Sequence, residues 1–266
     1  MKKITTLLLV SAALCAASCS LFEIDNYDAP AETLFGKVTD AAGNPVLTDQ
    51  GSEGIRVRLT ETSWEGNVTP LDFYCRPDGT FNNTKVFEGD YNIRIDGPFI
   101  PLVRSTQDGT LLADDTRNAH VKGQTEVNFV VEPFLNVELV DIPQAAGGKI
   151  TANVRVTRGV SKEDFRSKVE PMGGYSDDFL NVTDIQLFVS YSSSVGYRAR
   201  DDRWSSSVEY AGASFEDLLG TQVSISSKGA IPSGRKVYVR AAARINYATE
   251  GNRRWNYSEP IEVYLP

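Results

Sequence analysis

From about residue 33 onward, short stretches of alternating apolar and polar residues are separated by Gly, Pro, Asn and Asp. Successive side chains of a β-strand point to opposite faces, so strict alternation indicates a strand with one buried face. In the N-terminal half this pattern predicts strands near residues 34–39, 55–59, 91–95 and 126–132, the last ended by Pro133. Strands this short, with turn residues between them, predict a β-sandwich.

The C-terminal half continues the alternation near residues 135–139, 150–156, 185–189, 222–226, 236–247 and 259–265. About seven short strands at this spacing suit an immunoglobulin-like sandwich. Two capping-box sequences, at residues 161–164 and 214–217, predict short helical turns, and Gly220 is expected to end the second.

The expected fold class is therefore all-β, with two tandem antiparallel β-sandwich domains at residues 33–133 and 134–266. Pro133 is the predicted boundary between them. The sequence around it contains no run of Gly, Ser or Pro that would make a flexible linker, so a stiff tandem is expected.

The N-terminal half carries an ordered series of short motifs: Gly36-Lys-Val-Thr-Asp, Gly43-Asn-Pro-Val, Asp78-Gly-Thr-Phe and Gly89-Asp-Tyr-Asn-Ile. The series resembles the carboxypeptidase regulatory-like, or transthyretin-like, β-sandwich, and the resemblance implies architectural roles for its glycines. The end of the chain, residues 237–244 and 255–263, resembles the last two strands of a fibronectin type III domain.

One long segment, residues 97–123, departs from that first family. Loops of this length tend to be functional or disordered. Asp114 and Asp115 could help to bind a hard cation, but their spacing fits no known cation-binding loop, so a solvated loop is expected.

The N-terminus combines Lys2 and Lys3 with an apolar stretch at residues 4–17 and small residues before Cys19. A helix over this stretch would be about 21 Å long, short of the roughly 30 Å hydrocarbon core. The pattern resembles a bacterial lipobox, which implies that a signal peptide (1–18) is removed and that Cys19 is acylated. Ordinary secretory cleavage near Ala17, leaving Cys19 as a free thiol, is the alternative.

A polar stalk at residues 19–32 follows, with acidic residues spread along it. It resembles the surface-export signal of saccharolytic Gram-negative gut anaerobes. The resemblance implies a lipid-anchored protein of the outer membrane that faces the cell exterior.

Composition excludes several classes of function. The formal charge of −8 over 266 residues argues against nucleic-acid partners. Once the signal peptide is removed and Cys19 is acylated, Cys75 is the remaining thiol, and a buried small hydrophobe is its expected role. His120 is the single histidine, and no nucleophile elbow, P-loop or zinc motif is present. We therefore expect no enzyme activity, cofactor or metal.

Aromatic side chains in polar loops are the candidates for ligand binding, because large rigid rings desolvate well against the C–H faces of sugars. Trp64 is such a candidate in the N-terminal half. In the other half, a carbohydrate-facing patch is expected from six residues: Tyr197, Arg203, Trp204, Arg254, Trp255 and Tyr257. Exposure is expected for Trp204, whereas Trp255 has an alternative place in the sandwich core.

Taken whole, the chain resembles a two-domain lipoprotein family of unknown function associated with SusC/SusD-type glycan-uptake systems. Cys19 and residues 26–30, 36–46 and 97–101 carry the resemblance. It implies a polysaccharide or oligosaccharide partner and a possible SusC/SusD-like complex. Our first hypothesis is an accessory carbohydrate-binding protein; the alternatives are a scaffolding partner of such a complex and a pilus- or adhesin-like assembly protein.

Overall fold

The structure is a computed structural model that describes residues 28–63 and 66–266. The signal segment 1–18, Cys19 and Trp64 lie outside the described residues, so the predictions made for them stay predictions. Within the described part, the chain forms β-sheets and one short α-helix, which confirms the all-β fold class.

Two sheets form the N-terminal half. Their strands, with the hairpin β6–β7, are β1 (Glu32–Thr39), β2 (Arg56–Glu61), β3 (Leu71–Tyr74), β4 (Thr80–Val86), β5 (Gly89–Asp96), β6 (Val103–Ser105), β7 (Leu111–Asp114), β8 (Arg117–Val121), β9 (Gln124–Glu126) and β10 (Phe129–Val130). In one sheet, β2 lies between β3 and β5, and β8 extends the sheet beyond β5, all antiparallel. In the other, β1 pairs antiparallel with β4 and parallel with β9 and β10.

The alternating residues of this half face a common core. Leu34 on β1, Val57 on β2 and Ile93 on β5 are all fully buried, as the pattern predicts. Cys75 is a free thiol and is fully buried in the same core, which confirms its expected role as a small hydrophobe. Gly36 is required on β1, because a Cβ there would lie 1.8 Å from the Val127 carbonyl oxygen.

The expected loop at residues 97–123 is wrong. The segment forms the antiparallel hairpin β6–β7 and then β8, which pairs with β5. These strands are mostly exposed on both faces, so they lack the alternation that reveals a strand with one buried face. The strand expected at 126–132 is also interrupted: it divides into β9 and β10, and between them the Asn128 side chain accepts a hydrogen bond from the Lys37 N–H (3.0 Å).

Two further sheets form the C-terminal half and enclose one core. Their strands are β11 (Leu135–Leu139), β12 (Gln144–Ala146), β13 (Lys149–Arg158), β14 (Val182–Ser190), β15 (Ser206–Glu209), β16 (Gln222–Ser226), β17 (Arg235–Ile245), β18 (Asn256–Tyr257) and β19 (Ile261–Leu265). In one sheet, β13 pairs with β11, β12 and β16. In the other, β17 pairs with β14, β18 and β19, and β15 pairs with β14.

The first of the two predicted helical turns is confirmed. Helix α1 (Lys162–Val169) begins at Ser161, whose hydroxyl accepts a hydrogen bond from the Asp164 N–H (2.9 Å). The second predicted helical turn is also present, as the 3₁₀ turn Glu216–Leu218, but the capping box predicted for it is wrong. The turn begins at Phe215, which is buried in the core, and no side chain caps it.

The two halves meet at an interface that we call the junction, defined as the contacts between residues 28–133 and 134–266. Hydrogen bonds cross it at several points: Asn256 Nδ2 donates to the Pro98 carbonyl (3.1 Å), and Thr249 Oγ1 donates to the Gly97 carbonyl (2.9 Å). The domain bounds 33–133 and 134–266 stay predictions.

Candidate functional site

The structure buries most of the predicted carbohydrate-facing patch. Trp204, Arg254, Trp255 and Tyr257 are each at most 5% exposed. The expected exposure of Trp204 is therefore wrong, and these four side chains do not form a surface in this structure. Tyr197, at 37% exposed, and the Arg203 side chain, at 73%, do reach solvent.

Trp255 and Tyr257 are buried because they belong to the junction. They pack with Phe188 in a small apolar cluster, in which the Phe188 and Trp255 rings meet edge to face at 6.2 Å. Arg254 extends into the N-terminal half, where its Nη1 donates to the carbonyls of Ser52 and Gly54. The burial of Trp255 that the alternative predicts is confirmed, but the residue lies in the junction cluster and not in the sandwich core.

Trp204 closes one end of the C-terminal core. Its indole Nε1–H donates to the Ala230 carbonyl (3.2 Å), which satisfies the polar atom of the buried ring. The Tyr191 ring meets the Trp204 ring at 5.1 Å with an interplanar angle of 90°. Because Tyr191 is itself exposed, this end of the core lies close to solvent. The Arg203 guanidinium lies 4.8 Å from the same indole.

We call this group of four residues, Tyr191, Asp201, Arg203 and Trp204, the Tyr191 platform. Tyr191 is 48% exposed and directly follows β14. Arg203 Nε and Nη2 donate to the two carboxylate oxygens of Asp201 at 3.0 and 2.7 Å. This hydrogen bonding lowers the pKa of Asp201 and raises the pKa of Arg203, so both groups are charged at neutral pH.

The loop that carries the platform is fixed by its own backbone. The Asp201 N–H donates to the Val189 carbonyl (2.8 Å), and the Asp201 carbonyl accepts from the N–H groups of Trp204 and Ser205. These bonds tie residues 201–205 to the end of β14. The platform therefore presents an exposed aromatic ring next to a fixed ion pair, an arrangement that suits a ligand with both apolar and hydroxyl faces.

The sequence analysis did not identify Tyr191. Ile185, Leu187 and Val189 on β14 alternate and are fully buried. Continuing this alternation would place Tyr191 on the same buried face, so the pattern predicts burial rather than exposure. The remaining signal is position: Tyr191 lies between that strand and the polar sequence Ser192-Ser193-Ser194.

Tyr197 contacts a different part of the molecule from Arg203. Its ring meets Phe188 of the junction cluster at 6.5 Å, and the Arg200 guanidinium covers it at 4.2 Å. Arg200 in turn donates to Asp202 Oδ1 (2.6 Å). Of the six predicted patch residues, the structure thus brings Arg203 and Trp204 together at the platform and places the others at or beside the junction.

No metal site is found in the described part of the chain: residues 28–63 and 66–266 contain no group of three or more His, Cys, Asp and Glu side chains that could hold an ion. Asp114, a candidate cation ligand, instead accepts a hydrogen bond from the Thr116 N–H (3.0 Å). His120 Nδ1 lies 2.8 Å from Asp90 Oδ1. The same residues include no helix long and apolar enough to cross a membrane.

Comparison with known proteins places these observations in a family. The N-terminal domain family described as "Protein of unknown function (DUF3823)" matches residues 32–132. The crystal structure of a DUF3823 family protein from Bacteroides uniformis is 65% identical in sequence, with a TM-score of 0.87, and the match covers 89% of this chain and 100% of that one.

Two more distant structures share the fold over the same extents, 89% of this chain and 100% of theirs. One is a protein from Bacteroides uniformis described as a candidate carbohydrate binding protein (19% identity, TM-score 0.64). The other is a DUF3823 family protein from Parabacteroides merdae (19% identity, TM-score 0.59). No curated protein sequence matches. From its 65% identity over the full length of a family member, we conclude that this chain belongs to the DUF3823 family.

Proposed function

We propose that this protein is a non-catalytic carbohydrate-binding lipoprotein of the outer membrane that faces the cell exterior and serves a SusC/SusD-type glycan-uptake system. The observation that carries the proposal is the Tyr191 platform, in which an exposed aromatic ring is held edge-on by a buried tryptophan beside an Asp201–Arg203 ion pair.

The platform matches the chemistry of a sugar ring. The C–H face of a pyranose loses its water favourably against a large flat ring, and Tyr191 provides such a ring at the surface. The fixed loop limits the cost of ordering the backbone on binding. Arg203 offers N–H donors and Asp201 offers carboxylate acceptors, so hydroxyl groups at the rim of a stacked sugar can find both kinds of partner.

The comparisons add support of a limited kind. A structural neighbour at 19% identity is described as a candidate carbohydrate binding protein, and it shares the fold of this chain. The binding proposal for this chain rests on its own platform residues.

Affinity electrophoresis through a panel of polysaccharides tests the proposal. We expect at least one polysaccharide to retard the purified protein, and the Tyr191→Ala variant to lose about 1–2 kcal/mol, a weakening of roughly 5- to 30-fold. Tyr264→Ala is the matched control, because Tyr264 is also an exposed tyrosine (59%) but lies on β19. If polysaccharide retards Tyr191→Ala as strongly as Tyr264→Ala, the platform has no role in binding. If no polysaccharide retards the wild type, the protein does not bind carbohydrate in this assay and the proposal is refuted.

The anchor needs its own test, since Cys19 lies outside the described residues. Mass spectrometry of the N-terminal peptide of the protein purified from membranes is expected to show a chain that begins at an acylated Cys19. A free Cys19 thiol behind a cleavage site near Ala17 would instead identify an ordinary secreted protein.

A scaffolding partner of a SusC/SusD-like complex is the second candidate function. It is favoured by the β6–β7 hairpin, where Leu111 and Leu112 are 58% and 43% exposed. This role predicts that an outer-membrane β-barrel protein co-purifies with the wild type and is lost from a Leu111→Ser, Leu112→Ser double variant. Co-purification in the absence of any polysaccharide binding would favour the scaffold over the first proposal.

A further inference from the structure

A second site lies at the junction, well separated in sequence from the Tyr191 platform. A pocket of about 210 Å³ opens between the end of β5 and the turn that follows β17. We call it the Arg94 pocket, and its lining includes Arg94, Asp96, Ala248 and Glu250. Sites for drug-sized ligands measure about 300–1,000 Å³, so this pocket suits a smaller molecule.

Arg94, Asp96 and Glu250 form its polar lining, and Arg56, which does not line the pocket, contacts both carboxylates. Arg56 Nη2 donates to Asp96 Oδ2 at 2.6 Å and lies 3.6 Å from Glu250 Oε2. Arg94 Nη2 lies 3.4 Å from Asp96 Oδ2 and 3.2 Å from Glu250 Oε1. The two halves of the chain thus each contribute a carboxylate to the same pair of guanidinium groups.

Arg94 is poorly satisfied within this network. Its Nε is buried and makes no hydrogen bond, and its nearest acceptor, Asp96 Oδ1, is 3.4 Å away. Its other contacts in the network are 3.2 Å or longer, whereas charge-assisted N–H···O bonds are usually about 2.7–2.9 Å. The Arg94 side chain is nevertheless 23% exposed, so a ligand oxygen can reach its accessible part and improve on these long contacts.

The acceptors beside Arg94 are also incompletely used. Asp96 Oδ2 accepts from Arg56, but the contact of Asp96 Oδ1 is the 3.4 Å approach of Arg94 Nε. The Glu250 side chain is 45% exposed and stays within reach of water or a ligand. The pocket therefore offers N–H donors and carboxylate acceptors side by side.

The charge of the polar lining argues for a neutral ligand. Asp96 and Glu250 already lie against Arg94 and Arg56, and Arg56 also lies 3.5 Å from Asp72, so a ligand with a full charge of its own would find no free partner in a partly desolvated site. A hydroxyl group both donates and accepts, so a pair of neighbouring hydroxyls can receive hydrogen bonds from Arg94 and give them to Asp96 or Glu250.

The rest of the lining includes apolar side chains. Pro101, Val103, Met172 and Tyr247 are partly exposed there. Apolar side chains of this kind suit the C–H groups of a ring whose hydroxyls face the polar lining.

From these observations we propose that the Arg94 pocket binds a single neutral sugar ring, the terminal residue of a glycan, through two adjacent hydroxyl groups. The pocket is too small for an internal stretch of polysaccharide, so it selects chain ends, whereas the open Tyr191 platform accepts any exposed ring along a chain. Both this proposal and the proposed function concern carbohydrate ligands, but the pocket and the platform have no residue in common.

Titration of the isotope-labelled protein with small glycosides, followed by NMR, tests this proposal. The probes are methyl β-glucoside, methyl β-galactoside, methyl α-mannoside and methyl β-xyloside, with methyl β-glucuronide as the charged comparison. We expect at least one neutral glycoside to bind with a dissociation constant on the order of 1 mM. Its shifted signals should include the backbone amides of Asp96, Ala248 and Glu250.

Two variants separate binding from folding. Arg94→Leu removes the unsatisfied donor and should weaken binding by at least about tenfold. Because that change also disturbs the ion pairs, Ala248→Trp provides a second route: Ala248 is exposed and lines the pocket, so a large side chain there blocks the pocket and leaves the network intact. Tyr264→Ala, which changes an exposed tyrosine on β19 outside both sites, should shift the same amide signals as the wild type does.

Three outcomes would overturn the proposal: no neutral glycoside binds, both pocket variants bind as tightly as the wild type, or the glucuronide binds more tightly than every neutral probe. If Arg94→Leu does not fold, Ala248→Trp alone decides. The two proposals are read separately: this one from the amide signals of Asp96, Ala248 and Glu250, and the platform from the retardation of Tyr191→Ala by polysaccharide.

Discussion

Arg240 connects the two halves of the protein at the centre of the junction. It lies on β17 and is 1% exposed, and its guanidinium donates to carbonyl oxygens on both sides of the interface. Nη1 donates to Thr48 at 2.8 Å and Nη2 to Pro77 at 3.2 Å in the N-terminal half, while Nε donates to Ser258 at 2.7 Å in its own half. Its guanidinium also lies 4.5 Å from the Tyr257 ring.

Replacing Arg240 by methionine keeps most of the side-chain volume but removes every one of these donors. The carbonyls of Thr48 and Ser258 then lose their charged partner, and each buried acceptor left unpaired costs about 1–3 kcal/mol, whereas the Pro77 carbonyl keeps the Thr48 N–H as a donor (3.0 Å). Removing the buried charge itself recovers part of this, because desolvation lowers the pKa of Arg240 and so disfavours its charged form. We expect a net loss of about 3 kcal/mol, within the range for disruption of a buried charged network.

Denaturant unfolding and calorimetry measure this loss. For a chain of this size, a loss of about 3 kcal/mol corresponds to a fall in Tm of roughly 6–12 °C. Arg235→Met is the matched control, because Arg235 lies on the same strand and is exposed; its expected effect is within about 0.5 kcal/mol. If the free energy of unfolding of Arg240→Met lies within about 1 kcal/mol of that of the control, the hydrogen bonds of Arg240 do not stabilise the junction.

Three further predictions follow from the burial and charges of single residues. Trp204→Ala should lower the free energy of unfolding by about 3–5 kcal/mol, measured by denaturant titration, because it empties one end of the core. Cys75 should resist alkylation in the native protein and react once it is unfolded, since burial raises the pKa of its thiol; rapid native labelling followed by mass spectrometry would contradict this. Hydrogen bonds from Arg58 lower the pKa of Asp72, so the stabilisation by this pair is present above about pH 4 and lost as the pH falls through the lowered value. Asp72→Asn should therefore be less stable than the wild type by up to about 1 kcal/mol at pH 7, and the difference should close in acid; a difference that persists at low pH would contradict the assignment.

The strands that the sequence predicts are those with one buried face. β1, β2 and β5 each alternate because one face packs on the N-terminal core. β6 and β7 show no such alternation, because they form a hairpin that is largely exposed on both faces. Hydrophobic periodicity reports burial of a face rather than pairing of a backbone, so strands of this kind escape it.

The residues around Trp255 were expected at the surface, and their burial was hard to predict for a different reason. Arg253, Arg254 and Asn256 surround Trp255 with polar neighbours, a context that suggests an exposed loop. In the structure, Arg254 donates to carbonyls about 200 residues away in sequence, and Asn256 contacts the Pro98 carbonyl. Polar residues that serve a junction look the same in sequence as polar residues that face water, because their partners are distant in the chain.

A crystal structure of the protein in complex with an oligosaccharide, prepared from a polysaccharide that retards it, tests the central claim most directly. The account predicts a sugar ring stacked on Tyr191 at about 4 Å, with hydroxyl groups within hydrogen-bonding distance of Asp201 or Arg203. A bound oligosaccharide that leaves Tyr191 exposed to solvent would contradict it.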